Sequence, residues 1–341
     1  MNEHKSLQWK SIYHQHRCSH DVSCICRMDD ELFGSDSDEQ DVTLSSEERE
    51  RNNGVLAFHS GTEEAMFIYI NKRMQTLEND SEDSVSRILS FCDEFCTKRH
   101  WMMHVGPSKA NILKDAFNFL PASLTSSAIN VLEIGSYCGY STALIANLLA
   151  ERDKSRSGEG NGICNDRSEA ISKSHLVSIE PDPKCVKWTN RMLSTSFCNL
   201  SSYSTVLQTT VSVIMKDGEM DPKINSDFLT QLSLLQWDKK GEGENIKFDL
   251  VFIDHDKSKY LCDLKLLQQS SLLKEKCVIV ADNVLSFGQP LTNYLEYVRC
   301  DESFASSELF VSELEYSSDQ ALHDPRGKEY FIDGVEVSVL V

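Results

Sequence analysis

Val131-Leu132-Glu133-Ile134-Gly135-Ser136-Tyr137-Cys138-Gly139-Tyr140-Ser141 is followed at once by an apolar run from Thr142 to Leu149. An apolar strand from Ile129 to Ile134 therefore runs into a glycine-punctuated turn and then into a helix. That places the turn at the carboxyl end of a strand and at a helix N-terminus, the position where open α/β sheets bind ligands.

The glycine spacing here is G-x-x-x-G, without the G-x-G-x-x-G that lets a pyrophosphate approach the backbone. An acid, Glu133, stands two residues before the first glycine. An acid beside the loop suits a cationic or hydroxyl-rich ligand better than a phosphate. S-adenosylmethionine fits this description, with a sulfonium, an amino group, ribose hydroxyls and no phosphate.

Outward from this centre, 341 residues with 40% apolar content suffice for a full α/β core plus extensions. The formal net charge is -19, and no sustained Lys/Arg cluster offsets it, so nucleic acid and anionic membrane surfaces are poor partners. The twelve cysteines and an N-terminus without a signal-peptide apolar stretch read as reduced thiols in a cytoplasmic protein. No apolar run reaches the roughly eighteen residues that a membrane span needs.

Residues 1–60 are polar, with an acidic stretch from Asp29 to Glu50 that has little to bury; they read as a disordered acidic tail, able to bind another protein. Within the tail, His14-x-His16-x-Cys18-x-His20-x3-Cys24-x-Cys26 has metal-ligand residue types without the spacing of structural zinc sites. A solvated tail is the better reading. A folded domain then occupies residues 61–341, with polar insertions near 151–174 and 216–246.

Met66, Ile70, Met74 and Leu77, then Val85, Ile88, Leu89, Cys92 and Cys96, recur at helical spacing and predict two amphipathic helices. A third helix is expected from Ser108 to Leu120. Further strands are expected at His175 to Ile179, Ser204 to Thr209, Phe248 to Ile253 and Cys277 to Ala281, with helices between them. A strand from Glu308 to Glu315 and a hairpin-like strand around Asp333-Gly334 close the chain. Strand-helix alternation followed by strand-loop-strand implies a mostly parallel α/β sheet with an antiparallel edge and helices on both faces.

Chemistry gathers at the strand ends. The second strand ends in Glu180, placed to hydrogen-bond ribose hydroxyls. Two later strands end in Asp254 and in Asp282-Asn283, which brings two carboxylates and an amide carbonyl together beside the Glu133 loop. Oxygen-only ligands select a hard cation, and Mg²⁺ is its natural occupant. Lys257, three residues after Asp254, would lie over that ion, where a lysine can serve as general base.

Trp101-Met102-Met103-His104-Val105-Gly106, Val131 to Ser141, Glu180, Phe252-Ile253-Asp254-His255-x-Lys257-x-x-Tyr260, Ala281-Asp282-Asn283-Val284, Leu314-Glu315-Tyr316 and Asp333-Gly334 occur in this order. Together they resemble the catechol O-methyltransferase family, cation-dependent S-adenosylmethionine enzymes with a Rossmann-like seven-stranded sheet. The resemblance implies that Asp254, Asp282 and Asn283 hold Mg²⁺ and that Lys257 takes the proton. It implies that Glu315 hydrogen-bonds the second substrate hydroxyl. Met103, Val105, Glu133, Gly135, Tyr137, Tyr140, Ser141, Glu180 and His255 would contact the methyl donor.

The chain also departs from that family. Asp256 stands where the catechol enzymes have a tryptophan, Phe287 where they have a proline, and His104 where they have an asparagine. Asp254-x-Asp256-Lys257-x-x-Tyr260 is instead similar to caffeoyl-CoA O-methyltransferases. The expected activity is therefore Mg²⁺-dependent methyl transfer to a hydroxyl of a catechol-type small molecule. The alternatives are a caffeoyl-CoA-like phenolic acceptor, or a non-catalytic protein that binds S-adenosylmethionine and uses its tail as an interaction arm.

Overall fold

The computed structural model describes residues 61–76, 84–100, 102–125, 127–157, 173–195, 199–213, 222–235, 246–285, 290–313 and 332–341. The expected acidic tail with its His/Cys motif, Trp101, Phe287 and Glu315 lie outside the described residues. So does the greater part of both polar insertions. All described residues belong to the unit that runs from Val42 to Val341.

Two helices lead in, α1 (Thr62–Gln75) and α2 (Ser84–Lys98). Their periodic residues are the buried ones: Met66, Ile70 and Met74 on the first, Val85, Ile88, Leu89, Cys92 and Cys96 on the second. Both cysteines are free thiols inside the core, packing residues rather than a redox pair. Helix α3 (Gly106–Ala116) follows, ending in a 3-10 turn at Phe117–Phe119 where a continuous helix to Leu120 was expected.

The alternating part then runs β1 (Asn130–Ile134), α4 (Tyr140–Ser157), β2 (His175–Ile179), α5 (Pro183–Leu193) and β3 (Ser204–Leu207). After a short ribbon of β4 (Ser212–Val213) and β5 (Lys223–Ile224) come α6 (Ser226–Leu234), β6 (Phe248–Ile253), α7 (Tyr260–Gln269) and β7 (Leu273–Ala281). The last elements are α8 (Thr292–Cys300), β8 (Phe304–Glu313) and β9 (Ile332–Leu340). Among the described residues no helix is long and apolar enough to cross a membrane.

The seven-stranded sheet has the order β3-β2-β1-β6-β7-β9-β8. Strands β3, β2, β1, β6 and β7 are parallel; β9 is antiparallel to both β7 and β8. Because the pleat alternates, Val131, Leu176, Leu250, Phe252, Val278 and Val280 face the core shared with α1 to α5. Leu132, Ile134, Val177, Val251, Ile253 and Ile279 face the core under α6, α7 and α8. Helices thus cover both faces, which is why these strands read as near-continuous apolar runs.

Two expectations change in detail. Asp333-Gly334, read as a hairpin turn, lies within β9, paired with Ser312 and Val311. A Cβ on Gly334 would meet Leu309 at 2.8 Å, so the glycine serves close side-chain packing, not a reversal. The first insertion begins later than Glu151, because α4 continues to Ser157. Its buried Asp153 accepts both the backbone N–H and the hydroxyl of Ser174, at 2.7 and 2.8 Å, tying together the two sides of the insertion.

Candidate functional site

The parallel ladder continues one residue past each strand. Glu180 N–H donates to Leu207 O, Gly135 to Ile179 O, Asp254 to Ile134 O and Asp282 to Ile253 O, all within 2.9–3.0 Å. Glu180, Gly135, Asp254 and Asp282 therefore stand in a row along one edge, at the strand spacing of about 4.8 Å. Gly135 has φ 93°, and a Cβ there would sit 2.1 Å from the Asp254 carbonyl oxygen. Only glycine allows the loop after β1 to lie this close to the end of β6.

The loop is held from below. Glu180 accepts the backbone N–H groups of Ser136 and Tyr137 at 3.2 and 3.1 Å and of Asp182 at 3.0 Å. It thus shapes the turn in addition to any ribose contact. Tyr137 takes φ 46°, and its hydroxyl reaches Glu63 on α1 at 3.4 Å. Pro183 opens α5 with Asp182 as its N-cap. The helix then packs Thr189 and Met192 against Gly139, where a Cβ would meet them at 3.0–3.1 Å.

Glu133 is fully buried. Its Oε2 accepts from Thr142 at 2.6 Å and Ser178 at 2.5 Å, while Oε1 has no hydrogen-bond partner. Burial pushes its carboxyl up to about 7, against the surrounding hydroxyls of Ser141, Ser178 and Thr142. A buried, half-satisfied carboxylate beside the loop is the feature a cationic ligand would complement. Ser141 is buried at the start of α4, Val105 is buried and Met103 half-buried at the entry to α3.

His255 stacks on Tyr260 with centroids 5.1 Å apart, and its Nε2 lies 2.9 Å from Asp263 Oδ2. Nδ1 is buried without a partner among the described residues, which leaves it for a ligand contact. His104 is built differently. Nδ1 faces the Met102 carbonyl at 3.2 Å and Nε2 faces Asp93 Oδ1 at 3.1 Å. With only acceptors before it, the ring satisfies both contacts as the imidazolium. Burial opposes that charge, but Cys96 and Asp93 hold it well above the ordinary histidine range. Asp93 also accepts from Tyr140 at 3.1 Å, so α2 clamps the Met103–Val105 segment to the head of α4.

At the other end of the row lie Asp254, Asp282 and Asn283. Burial and the like charge of Asp282 push Asp254 up to about 7, against the attraction of Lys257 and Lys109. Burial and Asp333 raise Asp282, with Lys109 opposing. Asn283 takes φ 54°, and its Oδ1 lies 3.2 Å from Lys257 Nζ. A half-buried carboxylate, Asp254, and a buried one, Asp282, both with raised affinity for protons and next to an amide oxygen, form a donor set that fits a hard divalent cation. The described residues contain no cluster of three or more His, Cys, Asp or Glu side chains suited to a metal, so such a site depends on the Asn283 amide. Asp256, exposed, caps the Lys257–Lys259 turn by accepting from Ser258 N–H at 3.0 Å.

Sequence reasoning missed Lys109 and Asp93, and it quoted Asp333 for the family resemblance without giving it a role. Lys109 Nζ lies 2.9 Å from Asp282 Oδ1 and 2.6 Å from Asp333 Oδ2. Burial opposes its charge, yet the two carboxylates outweigh that and hold it above the ordinary lysine range. The available signal was spacing: Lys109 precedes Leu113 by one turn and shares the buried face of α3.

A methyltransferase-domain family model matches residues 132–284, which spans the row of strand ends. Catechol O-methyltransferase of Bos taurus is 31% identical over 230 residues, 67% of this chain and 65% of that protein. Catechol O-methyltransferase B of Danio rerio is 30% identical over 230 residues, 67% of this chain and 67% of that one. The chain thus spans about two thirds, 65–67%, of the length of these curated relatives. An O-methyltransferase from Bacillus cereus, solved in complex with SAH, is 17% identical with a TM-score of 0.45, over 82% of this chain and 100% of that one. By its sequence and by the residues assembled along its sheet edge, the chain belongs to the catechol O-methyltransferase family.

Proposed function

We propose that the chain transfers a methyl group from S-adenosylmethionine to one hydroxyl of a catechol-type small molecule, with Mg²⁺ as the metal. The observation that carries this reading is the row in which Asp254, Asp282 and Asn283 adjoin the Gly135 loop, with Lys257 Nζ 3.2 Å from Asn283. The donor would supply an electrophilic methyl on its sulfonium sulfur, leaving as the neutral thioether once the methyl is transferred. Mg²⁺ would be held by Asp254, Asp282 and Asn283, and its chemistry is to make a chelated hydroxyl more acidic.

The protein's own groups divide the remaining work. Lys257 accepts the hydroxyl proton at Nζ. Glu315 takes the second hydroxyl. Glu133, Gly135, Tyr137, Tyr140, Ser141, Glu180 and His255, with Met103 and Val105, hold the donor so that its methyl faces the oxyanion. Positioning of this kind contributes roughly 7–11 kcal/mol, against about 10²–10⁴-fold for acid-base help, so alignment dominates.

Assaying catechols, caffeoyl thioesters and simple phenols, each with and without EDTA, tests the proposal. Turnover of vicinal diols that EDTA abolishes is expected; donor binding without turnover of any diol would leave a binding protein instead. A second acceptor class, the larger phenolic thioesters, is favoured by Asp256, whose exposed carboxylate bonds to its own turn and provides no aromatic wall.

A further inference from the structure

Lys109 and Asp333 are 6% and 0% exposed at their side chains, and neither has a role in the methyl transfer just described. A buried ion pair adds little net stability over an apolar replacement, so its placement calls for another account. The contacts supply one. Asp333 Oδ2 receives both Lys109 Nζ at 2.6 Å and Asn283 Nδ2 at 2.5 Å, and Asp333 Oδ1 receives the Gly334 N–H at 2.7 Å.

A carboxylate only accepts. Asn283 must therefore turn its amide nitrogen to Asp333, which leaves its Oδ1 on the Lys257 side. Asp282 Oδ1 is engaged by Lys109 at 2.9 Å and by the Asn283 N–H at 2.6 Å, which leaves Oδ2 as the oxygen free for a cation. The positive charge of Lys109 would by itself repel such a cation; the Asp333 carboxylate cancels it.

We propose that Lys109 and Asp333 are positioning residues of the metal centre. Asp333 fixes the amide of Asn283 with its oxygen toward the ion, Lys109 fixes which oxygen of Asp282 is offered, and the pair is electrically neutral. The proposal rests on the reading of Asp254, Asp282 and Asn283 as ligands to a divalent cation. It adds that the donors' orientation is set by a helix and a strand that themselves supply no donor to the ion.

The test uses the full chain without donor or acceptor and Mn²⁺ alone as probe, with free Mn²⁺ read by electron paramagnetic resonance. Asp333→Asn is expected to weaken Mn²⁺ binding about 10–100-fold, the usual cost of losing an outer-shell partner. In assays the Mg²⁺ requirement should rise while kcat at saturating Mg²⁺ stays near that of the unaltered protein. Lys109→Met separates orientation from charge: removing a cation should tighten Mn²⁺ binding if charge alone acts, and weaken it if Lys109 orients Asp282. Lys109→Arg, which keeps charge and donors, should recover most of the affinity.

Folded Asp333→Asn and Lys109→Met variants with unchanged or tighter Mn²⁺ binding would overturn the proposal. If either single variant fails to fold, Lys109→Met/Asp333→Leu removes both buried charges and is read in the same way. An unaltered chain that takes up no Mn²⁺, or an Asp254→Asn variant that binds it equally well, would remove the metal reading and this proposal with it. That result is distinguishable from a failure confined to Lys109 and Asp333.

Discussion

Strand β6 carries an aspartate near each end, and the two are treated in opposite ways. Asp249, at its start, accepts Lys274 Nζ at 2.9 and 2.8 Å and the Asn130 N–H at 2.8 Å. It joins three strands, β1, β6 and β7, with its charge answered. Asp254, just beyond the strand's end, faces a second carboxylate in Asp282, and burial with that like charge pushes it up to about 7. The first arrangement contributes to stability; the second leaves a charge deficit that a ligand can fill. The carboxyl edge of this sheet is where the electrostatics are left unfinished, as the proposed chemistry there requires.

The most damaging way to probe this difference is at the unfinished edge. Asp282→Ala should reduce single-turnover methyl transfer at saturating Mg²⁺ at least as much as Lys257→Ala, whose expected loss is about 10²–10⁴-fold. A nearly intact Asp282→Ala enzyme would contradict the metal reading. Next in size is Gly135→Ala, which places a Cβ 2.1 Å from the Asp254 carbonyl at φ 93°. Backbone strain alone costs about 1–3 kcal/mol, and the loop must also retreat. Calorimetry should show weaker S-adenosylhomocysteine binding together with a lower melting temperature.

At the finished edge the sign of the result reverses. Asp249→Ala should cost about 1.5–3 kcal/mol of stability, the range for hydrogen bonds to a charged group, while kcat per folded molecule is unchanged. Denaturant titration alongside active-site-normalised rates separates the two. A loss of activity without loss of stability would break the contrast between the edges.

The smallest effect concerns His175, which opens β2 at the same finished edge and lies 2.9 Å from Thr205 Oγ1. Burial, assisted by Lys173, lowers it from 6.5 to about 4. Between those values the unfolded chain binds a proton that the folded one refuses, so this contribution to stability is full above about 6.5 and declines as the pH falls toward 4. His175→Gln should narrow the difference in melting temperature between neutral and mildly acidic buffer; an unchanged difference would remove His175 as its source.

The legible parts of the molecule share a cause. Bounds near Phe248 to Ile253 and His175 to Ile179 could be read because strands covered on both faces are unbroken apolar runs. Asp254 and Asp282-Asn283 could be brought together because each directly follows such a strand. What escaped was contact across the chain. Lys109 and Asp333 are 224 residues apart, and their meeting requires β9 to enter between β7 and β8, whereas Asp-Gly in an alternating stretch looks locally like a turn. The Asp93–His104 clamp escaped for a related reason, since a helical acid is ordinarily a solvated one.

Strand β8 meets the rest of the sheet through β9 alone, and β9 carries Asp333. With this outer pair undocked from the parallel strands and lead-in helices, Lys109 keeps Asp282 but lacks Asp333, and Asn283 lacks the acceptor that turns its amide. The proposed metal centre is therefore complete only when the β8–β9 pair is docked against β7.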